Sequence, residues 1–166
     1  MRRNPILDFG IDTSTLGYVG EGLQRPECIL AEPDGTLWSA DARGGVVRLA
    51  SGGQELIAQA HSDHFRQASS EASRYLEGTL PNGLAFARNG DILISNFGTD
   101  RLEVMSRDGR SSVLADSVNG KPVGKVNFVL RDSKDRIWVT VSTRVTNWMH
   151  ALRPDLADGY LARLDN

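Results

Sequence analysis

The sequence lacks several features that would identify other classes of protein. Its 166 residues include one cysteine, Cys28, which excludes an internal disulfide framework and a thiolate metal site. No apolar run approaches the ~20 residues that span a bilayer. The 19 basic and 21 acidic residues nearly balance, and the arginines are scattered rather than clustered. We therefore expect neither nucleic acid nor a membrane among the partners.

Motifs of the common catalytic classes are missing too. The sequence has no Gly-rich phosphate loop, no Ser-His-Asp arrangement and no HExxH motif, which removes several kinds of enzyme. Its start, "MRRN", carries two positive charges with no apolar stretch behind them. No secretory signal is therefore expected, and the default expectation is a cytoplasmic protein.

What the chain does contain is a threefold repeat of short strands and tight turns. The stretch "PECILAEPDGTLWSADARGGVVRL" sets a Pro-Asp-Gly turn between two apolar strands, and "PNGLAFARNGDILISNFGTDRLEVM" and "KVNFVLRDSKDRIWVTVS" follow the same plan. Turn signals every 8–12 residues indicate antiparallel meanders. A period of ~40–50 residues with four strands per unit is typical of a β-propeller.

The sequence thus predicts an all-β fold, a partial β-propeller of four-stranded antiparallel blades over residues 1–166. The blades are predicted at 26–60, 81–116 and 125–166. A short helical insertion is predicted at 62–76, where apolar residues fall at helical spacing. Known propellers have roughly 4–8 blades, so about three blades are expected to be half of a larger ring. Exposed blade faces would favour self-association to complete it.

An oxygen-bearing side chain occupies the same position in each repeat. Glu27, Asn82 and Asn127 each lie eight residues before the residue that closes the first hairpin turn of their repeat. Because the first strand of a propeller blade lines the central channel, these three side chains are expected to converge on the axis. Their oxygens suit Ca²⁺, Mg²⁺ or Mn²⁺, and Zn²⁺ also accepts carboxylate. One divalent cation is therefore the expected cofactor.

These motifs resemble the senescence marker protein/gluconolactonase/luciferin-regenerating enzyme family, the regucalcin-like sugar lactonases, which are six-bladed propellers. The likeness covers residues ~20–166 and would fit the N-terminal half of such a protein. It implies a metal-dependent lactone hydrolase whose substrate is a sugar lactone or another organic lactone. By motif position Glu27 would be a metal ligand, and Asn127 would be the catalytic-site asparagine that meets water or substrate.

The sequence also departs from the family pattern. The family's remaining metal ligands, an Asn and an Asp, have no counterpart before Asn166, and Phe128 stands where the family often has Asp. A non-catalytic propeller that acts as a scaffold or ligand-binding module is therefore the alternative, since fold alone does not imply function.

Each axial residue has a second interpretation. Glu27 could be a solvated carboxylate at the start of a strand, and Asn127 could bond only to its own blade turn. The Pro-Asn-Gly around Asn82 is itself a turn signal, which competes with the predicted substrate-binding role of Asn82 in the channel.

The long loop of the third repeat supplies three further candidates. Arg144, Trp148 and His150 lie on this loop, which in a propeller could overhang the mouth of the channel. Loops on rigid scaffolds often bind ligands. The sequence therefore predicts these three as substrate-binding residues.

Overall fold

The computed structural model describes residues 9–60, 73 and 78–164. In these residues nearly all regular structure is β, and within each sheet every strand pairs antiparallel with the next strand along the chain. The all-β prediction is confirmed. The predicted helical insertion at 62–76 lies outside the described residues apart from Ser73. No helix in the described ranges has the length and hydropathy that a membrane crossing requires.

Two four-stranded sheets and one three-stranded sheet follow one another along the chain. The strands of the first sheet are β1 (Ile29–Ala31), β2 (Leu37–Asp41), β3 (Gly45–Ala50) and β4 (Gly53–Ala58). Those of the second are β5 (Pro81–Phe86), β6 (Ile92–Asn96), β7 (Arg101–Met105) and β8 (Ser111–Ala115). A two-stranded ribbon, β9 (Ser117–Val118) and β10 (Lys121–Pro122), precedes the third sheet of β11 (Val126–Arg131), β12 (Ile137–Val141) and β13 (Tyr160–Leu164). Within the described ranges, short 3₁₀ helices cover Thr13–Thr15 and Trp148–Ala151.

The first two strands of every sheet are joined by the same turn. Gly35, Gly90 and Asp135 close these turns with φ of +88°, +87° and +61°. Each donates its backbone N–H to the carbonyl three residues earlier, at 3.0, 3.1 and 3.0 Å. Glycine adopts positive φ without steric cost, and Asp is among the few other residues that tolerate it. The three turns are therefore equivalent, and the register of the repeats holds although the third turn has no glycine.

The second sheet is buried on both faces. Its Leu84 and Ile94 belong to one buried cluster with Trp38 of the first sheet, whereas Ala85 and Leu93 belong to another with the third sheet. Successive side chains of a strand point to opposite faces. Because a neighbouring sheet covers each face, all five positions of β6 are buried.

The first strands of neighbouring sheets lie unusually close together. A Cβ added to Gly83 of β5 would lie 2.7 Å from Cα of Phe128 and 3.0 Å from the backbone N of Val129 in β11. On the other side, the Cys28 thiol, just before β1, is 3.7 Å from the carbonyl oxygen of Leu84. The starts of β1, β5 and β11 are thereby brought to one region of the molecule.

A charged contact joins the first two sheets near the hairpin turns. Arg107, in the turn between β7 and β8, places Nη1 2.7 Å from Oε1 of Glu32. Its guanidinium carbon also lies 4.9 Å from the ring centroid of Trp38. Trp38 donates Nε1–H to the same Glu32 oxygen at 2.6 Å. The third sheet repeats the last contact, because Trp138 donates to Asp132 at 2.9 Å.

Candidate functional site at the starts of the inner strands

Asn82 and Asn127 occupy the same irregularity in their two sheets. The pairing register of β5 with β6 shifts between Pro81 and Gly83, and that of β11 with β12 shifts between Val126 and Phe128. Each asparagine is therefore the extra residue of a β-bulge. Bulges change the direction of a side chain and are frequent beside active sites.

The two asparagines are in direct contact. Asn82 donates Nδ2–H to the backbone oxygen and to the side-chain Oδ1 of Asn127, both at 2.8 Å. The Ser95 hydroxyl donates to the same backbone oxygen at 3.0 Å. A backbone carbonyl only accepts hydrogen bonds, so the nitrogen of the Asn82 amide must face it. The other amide atom, Asn82 Oδ1, is buried and accepts no hydrogen bond from the described residues.

Glu27 lies two residues before β1 and is paired with a cation. Its Oε1 is 2.9 Å from Nε of Arg25, and 41% of its side chain is exposed. Arg25 has φ of +53°, and its carbonyl accepts from the Glu27 N–H at 2.8 Å. Positive φ in a bulky residue costs conformational energy and is often found at binding sites. Across the described parts of the chain, no three or more His, Cys, Asp or Glu residues cluster as a metal site.

A pocket of about 330 Å³ opens beside Asn127. Its lining comes from Asn127 of β11, from residues just before β1 and β5 and just after β6, and from the long loop between β12 and β13. The lining residues are Arg25, Leu80, Phe97, Asn127, Ser142, Thr143, Trp148, Ala151 and Leu152.

The 3₁₀ helix Trp148–Ala151 brings the loop over the pocket. Asn147 caps this helix by accepting from the N–H of Met149 at 3.2 Å. The Trp148 ring packs in an edge-to-face contact against Phe97, directly after β6, with the ring centroids 6.1 Å apart. The Nε1 atom of Trp148 is buried and has no hydrogen-bond partner among the described residues.

Two of the predicted loop residues lie elsewhere. The guanidinium carbon of Arg144 is 4.5 Å from the ring centroid of Tyr160, and neither Arg144 nor His150 lines the pocket. His150 is exposed. The backbone N–H of Arg144 donates to Asp158 at 2.7 Å and lowers the pKa of that carboxyl; burial opposes the shift, and the Thr143 hydroxyl adds to it. These contacts hold the start of the loop, and the substrate-binding roles of Arg144 and His150 stay predictions.

Sequence reasoning missed several lining residues. Arg25 and Phe97 line the pocket, yet neither stands in a motif that marks a site. The available signal for Phe97 is its position directly after β6, in the turn equivalent to the one that follows β2. For Arg25 the signal would be its closeness to Glu27, but a positive φ at an arginine cannot be read from sequence.

No protein-family model matches the chain, and no curated protein matches it. Three solved structures have a similar fold. A provisionally named gluconolactonase superposes with a TM-score of 0.61 at 18% identity, over 87% of this chain and 47% of its own. A gluconolactonase from Xanthomonas campestris gives 0.56 at 18%, over 80% and 40%. Virginiamycin B lyase from Staphylococcus aureus gives 0.51 at 18%, over 70% and 34%.

These likenesses establish the class of fold. The three sheets are blades of the β-propeller type shared with these proteins. At 18% identity the resemblance to gluconolactonases is a distant one of fold. The chain also spans less than half the length of each of the three proteins.

Proposed function

We propose that this chain is part of a divalent-cation-dependent lactone hydrolase of the gluconolactonase type. The fold shared with the Xanthomonas campestris gluconolactonase supports the proposal. The observation that carries it is the pair of bulged asparagines, in which Asn82 Oδ1 is buried without a hydrogen-bond partner among the described residues. An unsatisfied buried acceptor costs about 1–3 kcal/mol, and a bound cation or substrate would remove this cost.

The chemistry of the donors suits a hard cation. Glu27 would supply a carboxylate and Asn82 an amide oxygen, the ligand types that Ca²⁺, Mg²⁺ and Mn²⁺ prefer and, for the carboxylate, that Zn²⁺ accepts. When bound, the cation would polarise the lactone carbonyl and lower the pKa of a coordinated water. Asn127 accepts from Asn82 through its Oδ1, and its side-chain N–H groups would donate to a substrate oxygen.

A ligand-binding propeller without catalysis is the second candidate, and the Arg25–Glu27 ion pair favours it. A guanidinium 2.9 Å from the carboxylate neutralises the charge that would attract a cation. In the hydrolase, Glu27 must exchange this partner for the cation or share its carboxylate between the two.

Metal titration of Glu27→Gln distinguishes the two candidates. Glutamine keeps the shape and one oxygen but removes the negative charge. We expect Glu27→Gln to weaken the binding of Ca²⁺, Mg²⁺, Mn²⁺ or Zn²⁺ at least tenfold by calorimetry and to suppress lactone hydrolysis followed by pH-stat. Glu21→Gln is the matched control, because Glu21 is an exposed glutamate nearby. Equal cation affinity in the wild type and Glu27→Gln would contradict the metal role and favour the second candidate.

Asn127→Ala separates binding of the cation from orientation of the substrate. If Asn127 orients substrate or water, cation affinity should persist while kcat/KM falls roughly 5- to 150-fold, the equivalent of about 1–3 kcal/mol for a lost buried partner. A parallel loss of cation affinity would instead make Asn127 a ligand.

A further inference from the structure

The pocket beside Asn127 has mostly apolar walls. Leu80 is fully buried and Phe97 nearly so, and Trp148, which also lines the pocket, packs against both. Leu152 lies on the lining with 69% of its surface exposed. Covering an exposed leucine beside a cavity with an apolar group is favourable by about 25 cal/mol per Å² of apolar surface removed from water.

The polar groups of the lining are mostly engaged. Thr143 donates its hydroxyl to Asp158 at 2.9 Å and accepts from the Val145 N–H at 3.0 Å. Arg25 is paired with Glu27. A polyhydroxylated sugar lactone carries a hydroxyl on most of its ring carbons, and each buried hydroxyl needs a partner. Such a ligand would find few partners here beyond Asn127, Ser142 and the Arg25 guanidinium.

One donor among the lining residues lacks an acceptor in the described part of the chain. Trp148 Nε1 is buried and has no acceptor among the described residues, although indole N–H groups usually find a partner when buried. A shift of the indole toward the pocket would let a carbonyl or ring oxygen attached to an apolar body accept from this donor.

We propose that this pocket binds lactones that carry an apolar aryl or alkyl substituent in preference to sugar lactones. Hydrolysis of these lactones would rest on the function proposed above, whereas their binding does not. The apolar substituent packs against Phe97, Trp148 and Leu152, and a small shift of the indole lets a lactone oxygen accept from Trp148 Nε1. The lactone ring then lies beside Asn127.

NMR of the tryptophan indole groups tests this directly. The chain has three tryptophans, so ¹⁵N-labelled protein should give three indole signals, and the Trp148 signal is the one that Trp148→Phe removes. We expect γ-phenyl-γ-butyrolactone to shift the Trp148 signal downfield with saturation. Glucono-δ-lactone should leave it unmoved at the same concentration. Trp148→Phe should weaken binding of the phenyl lactone roughly 3- to 10-fold, as for one hydrogen bond.

A pair of exposed leucines provides the matched control. Leu152→Ser should weaken binding of the phenyl lactone at least threefold, because it removes the apolar rim. Leu161→Ser changes a leucine that is 60% exposed on β13, outside the pocket lining, and should leave the affinity unchanged.

The outcomes separate this inference from the proposed function. Binding of the phenyl lactone without hydrolysis of any lactone supports the pocket and removes the hydrolase. Hydrolysis of glucono-δ-lactone with no shift of Trp148 by the phenyl lactone does the reverse. Equal or tighter binding of the sugar lactone at Trp148, or no binding of either compound, overturns the inference.

Discussion

Asn82 donates its side-chain amide to both the backbone oxygen and the side-chain oxygen of Asn127, at 2.8 Å each. The two residues are the bulged positions of neighbouring blades. The contact that forms the candidate site is thus also a contact between blades. Changes at the site should therefore affect stability as well as binding.

Asn82→Ala should destabilise the protein by about 1 kcal/mol, because the loss of two hydrogen bonds outweighs the removal of the buried Oδ1 that has no partner among the described residues. The Asn127 carbonyl keeps its second donor, Ser95, at 3.0 Å.

Asn82→Asp should destabilise the protein more than Asn82→Ala at neutral pH, since it places a carboxylate against two acceptor oxygens. Urea unfolding at pH 7 measures both losses. Asn89→Ala, whose amide bonds only within its own exposed turn, is the control and should lose less. Equal losses at Asn82 and Asn89 would contradict the role of the contact between blades.

Gly83→Ala should destabilise the protein clearly, although it adds a single methyl group. Its new Cβ would lie 2.7 Å from the Phe128 Cα, and backbone atoms cannot move aside as a flexible side chain can. Overpacking of this kind costs about 1–3 kcal/mol or more. Gly17→Ala adds the same atom where nothing lies within 4 Å and should change stability little. Thermal unfolding measures the melting temperatures of the two variants, and similar values would show that the second and third blades do not approach this closely at Gly83.

Glu32 should contribute an acid-sensitive part of the stability. The Arg107 hydrogen bond, followed by that of Trp38, lowers the pKa of Glu32 from its ordinary 4.5. A lowered pKa in the folded state contributes stability that is present above pH 4.5 and is lost as the pH falls through the folded value. The stability difference between the wild type and Glu32→Gln should therefore shrink below about pH 4.5.

Arg107→Gln provides the control for this pH dependence. Without the guanidinium, Glu32→Gln should have a much smaller effect on the pH profile, so the two substitutions should be non-additive in a double-mutant cycle. A pH profile that is the same in all four proteins would contradict the contact between Glu32 and Arg107.

The outer face of the third sheet should promote association. Phe128, Leu130 and Leu161 are 45%, 52% and 60% exposed, and β-pairing places Phe128 and Leu161 on either side of Thr140. Contiguous exposed apolar side chains mark interaction sites or aggregation liabilities. We expect the protein to bind a hydrophobic dye and to associate as its concentration rises, which light scattering would detect.

Leu161→Glu should reduce both the dye signal and the association. Leu16→Glu is its match, because Leu16 is also 60% exposed but lies outside the sheets. A compact monomer that binds no dye would contradict the prediction, as would equal effects of the two substitutions.

Local sequence signals were enough to predict the blades and their register. Turn residues and alternating apolar side chains act over a few neighbours, so Gly35 and Gly90 identify equivalent hairpins, and Asp135 could be aligned with them. The all-β propeller could therefore be predicted without the structure.

Which side chains meet depends on the tertiary structure. The bond from Asn82 to Asn127 spans 45 residues and depends on two bulges and on the approach of β5 to β11 at Gly83. The tertiary structure also packs Trp148 against Phe97, whereas Arg144 packs against Tyr160. Local signals cannot specify such contacts, because they depend on how the blades pack rather than on how each blade forms.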